Sequence, residues 1–133
     1  MNWYEIGAIC AFVGTIFFGV SVVLKYSKKK KLDEVKQKEL KKLLKNINSI
    51  YNNPKQKIID YDKLYHKILQ ELGYEGTFGE ILKKEPNEVG DLDKVWELHK
   101  LRNKLVHEFD LITNATLNKK ANEYEREIKV FLK

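Results

Sequence analysis

The sequence predicts an all-α protein, an N-terminal transmembrane helix followed by an antiparallel bundle of four to five helices. Three observations lead there. Residues from Ile6 to Leu24 run for nineteen positions without a charge. Four later segments repeat apolar residues at the three-four spacing of amphipathic helices. No stretch alternates apolar and polar residues over a useful length, so strands have no sequence support. With 133 residues, 43% hydrophobic and 33% charged, the chain has room for one domain and an appendage. We divide it into an anchor at 1–26, a basic juxtamembrane helix at 27–39 and a helical domain at 40–133.

At about 1.5 Å of rise per residue, the apolar run covers a hydrocarbon layer roughly 30 Å thick. Trp3, Tyr4 and Tyr26 stand at its ends, where amphipathic rings favour the headgroup region. A cleaved signal peptide is the competing reading, but the run lacks a positive leader and a small-residue cleavage motif. Lysines follow the span and none precedes it, which orients the N-terminus outside and the domain in the cytoplasm at the cell membrane. Gly7, Ala11, Thr15 and Gly19 recur every four residues and line one side, a face on which a second helix can approach closely.

The formal charge of +6 is concentrated in one block. Residues 25–45 hold ten Lys against three acids, whereas residues 46–133 hold fifteen basic and fifteen acidic groups. Lys25, Lys28, Lys29, Lys30 and Lys31 form a collar directly after the span. Topology and attraction to anionic lipid explain that collar without nucleic acid, because no aromatic residue interrupts Lys28–Lys31 to stack a base. Cys10 is the single cysteine, so the chain has no internal disulfide, and no Cys/His set has zinc-ligand spacing. Asp60, Asp62 and His66 have metal-ligand chemistry, but a charged helix face explains them as well. No glycine-rich phosphate loop is present, and the sequence calls for neither metal nor cofactor.

Between Gly19 and Pro54 there is neither Gly nor Pro, so the membrane helix is expected to continue, with a loose joint near Ser27, into the first helix of the domain. That helix buries Leu40, Leu43, Leu44, Ile47, Ile50 and Tyr51. Pro54 suits the first turn of the next, where Ile58, Tyr61, Leu64, Tyr65, Ile68, Leu69 and Leu72 form the stripe and Gly73 ends it. Thr77 and Glu80 make a capping box for a short helix carrying Phe78, Ile81 and Leu82 before Pro86. Asp91 caps a fourth helix running to about Glu108. Thr113 or Asn114 starts the last, with Leu117, Ala121, Tyr124, Ile128 and Phe131 on its inner face. Loops this short join helices that pack side by side.

The fourth helix contains the unusual chemistry. On a 100° wheel, Asp93, Glu97, Lys100, Lys104 and Glu108 share the polar face, and the apolar arc holds Leu92, Val95, Trp96, Leu98, Leu101, Leu105, Val106 and Phe109. Arg102 falls inside that arc, with His99 and Asn103, and His107 sits at its edge. Only Arg102 and Arg126 among twenty-five basic residues are Arg. A guanidinium buried without a partner costs several kcal/mol, so Arg102 needs a carboxylate, with Asp62 the candidate, or an opening to solvent and ligand. A planar fork binds carboxylate or phosphate through two parallel bonds, which Lys cannot do. Two readings follow: a structural Arg–carboxylate pair with satisfied imidazoles, or an anion site in which His107 moves protons near neutral pH.

Arg102–Asn103–Lys104–Leu105–Val106–His107 resembles the signature of the HEPN superfamily, an Arg followed four to six residues later by His, late in a small helical bundle. The resemblance covers roughly residues 40–132. It implies a dimer whose two motifs face each other, commonly as a metal-independent ribonuclease site. By position, Arg102 would stabilise the scissile phosphate, Asn103 would orient it, and His107 would act as general acid or base, with His99 and Asp62 in support. Phe109 departs from the pattern, since many toxin-type members carry Tyr there, and a membrane anchor is not typical of those members. The whole chain, with "IDYDKLYHKILQELGY" and "WELHKLRNKLVHE", resembles small membrane-anchored bacterial proteins with a HEPN-like domain. The expected function is a binding or scaffold module contacting RNA or nucleotide, with anionic lipid and a second copy of the chain as partners. The alternative is a metal-independent endoribonuclease.

Overall fold

A computed structural model of the chain describes residues 1–107 and 111–133, and the side chains of residues 25–27 lie outside the described set. Glu108, where the fourth domain helix was expected to end, and Phe109 both fall outside the described residues, as do the side chains of Lys25 and Tyr26. Six helices make up the described chain: α1 (Trp3–Ser27), α2 (Glu34–Ile50), α3 (Pro54–Glu71), α4 (Phe78–Lys83), α5 (Leu92–His107) and α6 (Asn114–Lys129). Among the described residues there is no strand.

α1 contains one stretch, Trp3–Leu24, of 22 residues with mean hydropathy 2.3 and none of it buried, long and apolar enough to cross a membrane. Its hydroxyls are satisfied within the helix: Thr15 Oγ1 donates to the Phe12 carbonyl at 2.8 Å and Ser21 Oγ to that of Phe17 at 2.8 Å. A polar side chain facing lipid has no water to bond, so turning inward removes that penalty.

The expected helix through 27–39 is corrected. The chain leaves the helix at Lys28, whose backbone is extended at φ −70° and ψ 118°, and helix resumes only at Glu34. Asp33 stops any continuation from the other side, accepting from the Lys36 N–H at 2.8 Å as the N-cap of α2. Four consecutive lysines in a helix would also repel at the next turn. The released segment instead docks on the domain, the Lys30 N–H donating to Glu88 Oε1 at 2.7 Å.

α3 is the central helix, packed against α2, α5 and α6. Its inner face buries Ile58, Tyr61, Leu64, Tyr65, Ile68 and Leu69 together with Asp62. Around Tyr65 the rings close tightly: Phe78 at 5.4 Å between centroids, Phe131 edge-on at 5.2 Å and Tyr124 at 6.1 Å. α3 ends in a Schellman motif, the Tyr74 N–H bonding the Leu69 carbonyl and the Gly73 N–H that of Gln70. Gly73 supplies the required left-handed turn at φ 94°. The capping box of α4 is present as expected: Glu80 accepts from the Thr77 N–H at 2.8 Å, and Thr77 Oγ1 accepts from the Glu80 N–H at 3.3 Å. Asp91 caps α5 through the Lys94 N–H at 2.9 Å, and Thr113 rather than Asn114 caps α6.

Two expected core residues among those described are exposed. Ile50 is 69% exposed and Val106 is 47% exposed. Each sits in the last turn of its helix, α2 ending at Ile50 and α5 at His107, where the stripe runs past its packing neighbour.

Candidate functional site

The site grows from Asp62, which the three-four spacing of α3 carries into the core between α5 and α6. Its residue is only 4% exposed. A carboxylate at that depth costs several kcal/mol unless its lone pairs are filled. Those of one oxygen are filled from two helices: His99 Nδ1 on α5 donates to Oδ1 at 2.8 Å, and the Tyr124 hydroxyl on α6 donates to the same oxygen at 2.7 Å. Arg102 approaches the other oxygen, with Nε 3.6 Å from Oδ2. That distance is an ion pair without a hydrogen bond, and Nε itself has no hydrogen-bond partner.

Arg102 is steadied by its neighbour in sequence, Nη1 donating to Asn103 Oδ1 at 3.0 Å. A quarter of the Arg102 side chain remains exposed, against 6% for Asp62. The Arg102 side chain therefore lies between a buried carboxylate and water, between the two readings that the sequence left open: it has its acid, and it is also partly exposed. Burial pushes the Tyr124 phenol well above its ordinary value, and the adjacent Asp62 carboxylate adds to this, so the hydroxyl stays a donor.

His99 is fixed by its surroundings. Phe78 meets it edge-on at 4.7 Å, Trp96 at 6.2 Å, and its Nδ1 is committed to Asp62. Its Nε2 faces the α4 backbone, 3.9 Å from where a side chain on Gly79 would begin. Supporting residues His99 and Asp62 thus come together with Arg102 and Asn103. His107 does not join them: it is exposed at the end of α5, and five helical positions turn it roughly 140° from Arg102. His66, weighed with Asp60 and Asp62 for metal, is engaged otherwise, its Nε2 donating to the Gly76 carbonyl at 3.0 Å and its ring stacked on Phe78.

Sequence reasoning missed Tyr124 as a member of the site, because its place on an apolar stripe reads as core. The available signal was its hydroxyl: a buried Tyr in a bundle needs an acceptor, and Asp62 was the one acid near a buried stripe. Of the collar, Lys28, Lys29, Lys30 and Lys31 are exposed, and Lys30 Nζ lies 4.1 Å above the Tyr74 ring. No family of known proteins, no curated protein and no solved structure matches this chain.

Proposed function

We propose that the chain is a membrane-anchored, cytoplasmic HEPN-like helical module that binds or scaffolds, with Arg102 contacting a phosphate of RNA or nucleotide, and that it works as a homodimer. The observation that carries this reading is the partly exposed Arg102 side chain: it is held by Asn103 and Asp62 while a quarter of it faces water. An Arg kept in place on its buried side is pre-organised for an anion on the other. The register of the helices supports the HEPN-like antiparallel order. Gln37 near the start of α2 reaches the Lys133 carbonyl at 2.8 Å, while Asn48 near its end meets Glu125 at 2.9 Å.

The endoribonuclease alternative draws on His107. In one copy it diverges from Arg102, so catalysis would need the partner's surface to bring the two groups together. Val106, beside His107, and Leu111 expose 47% and 104% of their surface, apolar area suited to a contact between copies.

The test is to purify the full chain in a mild non-ionic detergent and measure fluorescence anisotropy with a labelled single-stranded RNA, with a chelator present. The module reading expects binding that Arg102→Gln weakens and His107→Ala leaves unchanged, with the RNA intact. Cleavage that disappears in His107→Ala would establish the enzyme instead. RNA binding indifferent to Arg102→Gln would remove both.

A further inference from the structure

Where the basic segment meets the domain, a cavity of about 480 Å3 opens between Lys29, Lys31 and Lys133, over a floor of Leu32, Leu72 and Phe131. We propose that this cavity takes the headgroup of an anionic phospholipid, its phosphate held by the three lysines and the upper part of an acyl chain against the apolar floor. This rests on reading α1 as a membrane span, and it replaces a diffuse charged collar with one built site.

The site is built because the segment is pinned. Glu88 is 7% exposed, and both of its oxygens are occupied: Oε1 accepts from the Lys30 N–H at 2.7 Å and Oε2 from the Tyr74 hydroxyl at 2.6 Å. The Lys30 ammonium is turned onto the Tyr74 ring at 4.1 Å. With Lys30 so committed, its neighbours Lys29 and Lys31 are the ones left to face a ligand. Glu88 also lines this cavity and keeps its charge; these donors hold both of its oxygens in place, and the lysines of the lining outnumber it. The carbonyls of Phe131 and Lys133, which would also repel an anion, both accept from Gln37 Nε2, at 3.5 and 2.8 Å.

A lipid rather than a free phosphate fits for two reasons. The lining includes Leu32, Leu72, Val130 and Phe131, an apolar surface that a free phosphate would leave unused. Lys29 follows the end of α1 at Ser27 by two residues, a chain reach of at most ~7 Å, so the cavity cannot lie far from the headgroup layer that α1 would enter.

The experiment uses the full chain. Flotation with vesicles of phosphatidylcholine alone first tests the span: a chain that stays at the bottom removes the anchor reading and this proposal with it. For a chain that floats, native mass spectrometry from non-ionic detergent then compares retained phosphatidylglycerol and phosphatidylcholine. The expected result is one retained phosphatidylglycerol, about fivefold weaker for each of Lys29→Gln, Lys31→Gln and Lys133→Gln. Three control variants, Lys55→Gln, Lys83→Gln and Lys119→Gln, each remove the same single charge from exposed positions elsewhere and are expected to retain the lipid as wild type does. Equal loss in both sets, or no preference over phosphatidylcholine, overturns the site while leaving the span intact. Displacement of the lipid by millimolar glycerol phosphate overturns the lipid as its occupant.

Discussion

Replacing Asp62 with Ala removes the acceptor on which three helices converge, and the geometry sets the cost. The Tyr124 hydroxyl sits in a residue with no exposed surface, so without Asp62 it is left unpaired at about 1–3 kcal/mol. His99, with 13% of its side chain exposed, loses the acceptor of its Nδ1 and adds about 1–2 kcal/mol. Arg102 adds little, since a quarter of its side chain already reaches water. The total is about 2–5 kcal/mol, whose upper part is also the usual cost of breaking a buried pair from one side and which is a large part of a domain's ~5–15 kcal/mol. In urea unfolding of the full chain in non-ionic detergent, followed by the helical circular dichroism signal, this lowers the midpoint by about 2 M. Helix held in the micelle contributes a constant baseline. Tyr124→Phe keeps the ring and deletes one donor, costing about 2 kcal/mol. The double variant orphans no hydroxyl, so its cost falls about 1–2 kcal/mol short of the sum. A loss below ~1 kcal/mol for Asp62→Ala, or strict additivity, would refute the hub as the organiser of the α3, α5 and α6 junction.

Burial raises the phenols of Tyr61, Tyr65 and Tyr124, and burial with the Glu88 hydrogen bond pushes Tyr74 up to about 12. A raised phenol stabilises the fold below its unfolded value near 10 and loses that contribution as pH climbs through the folded one. Phenolate absorbance from these four should therefore appear late and together with loss of helix, and a smooth titration centred at pH 10 in the folded chain would contradict it. Gly76 has φ 114°, and a Cβ there would stand 2.9 Å from Glu80 Oε2, so Gly76→Ala should strain the turn, disturb the α4 capping box and cost about 1–2 kcal/mol in the same unfolding assay. Burial raises Glu127 as well, which means that its ionised form weighs against the fold. Glu127→Gln should raise the urea midpoint at pH 7, and the gain should vanish at acid pH where the native side chain is already neutral; an equal gain at both would point away from ionisation.

Most helix boundaries were legible because they are local chemistry. Pro54, Gly73, the Thr77–Glu80 box, Asp91 and Thr113 each act on backbone groups within a few residues, and each acts as its spacing indicates. The break after Ser27 was not legible from periodicity. The Asp33 cap that starts α2 afresh is local, but the docking of the released segment is not: Glu88 captures the Lys30 N–H across 58 positions of sequence, and only the folded domain brings that acid within reach.

The candidate site divides along the same line. An Arg, an Asn and one His on the inner side of one amphipathic helix, with a second His at its edge, were determined by sequence, since 3.6 residues per turn assigns the face. Tertiary structure alone decided that Asp62 serves His99 and Tyr124 first and Arg102 only at 3.6 Å, because those distances follow from how three helices pack. Sequence likewise determined the long apolar helix and the lysines behind it, which require nothing beyond composition and order. That one of those lysines is folded onto an aromatic ring at the wall of a cavity was decided by the packing of Lys30 against Glu88 and Tyr74, a contact that no local rule encodes.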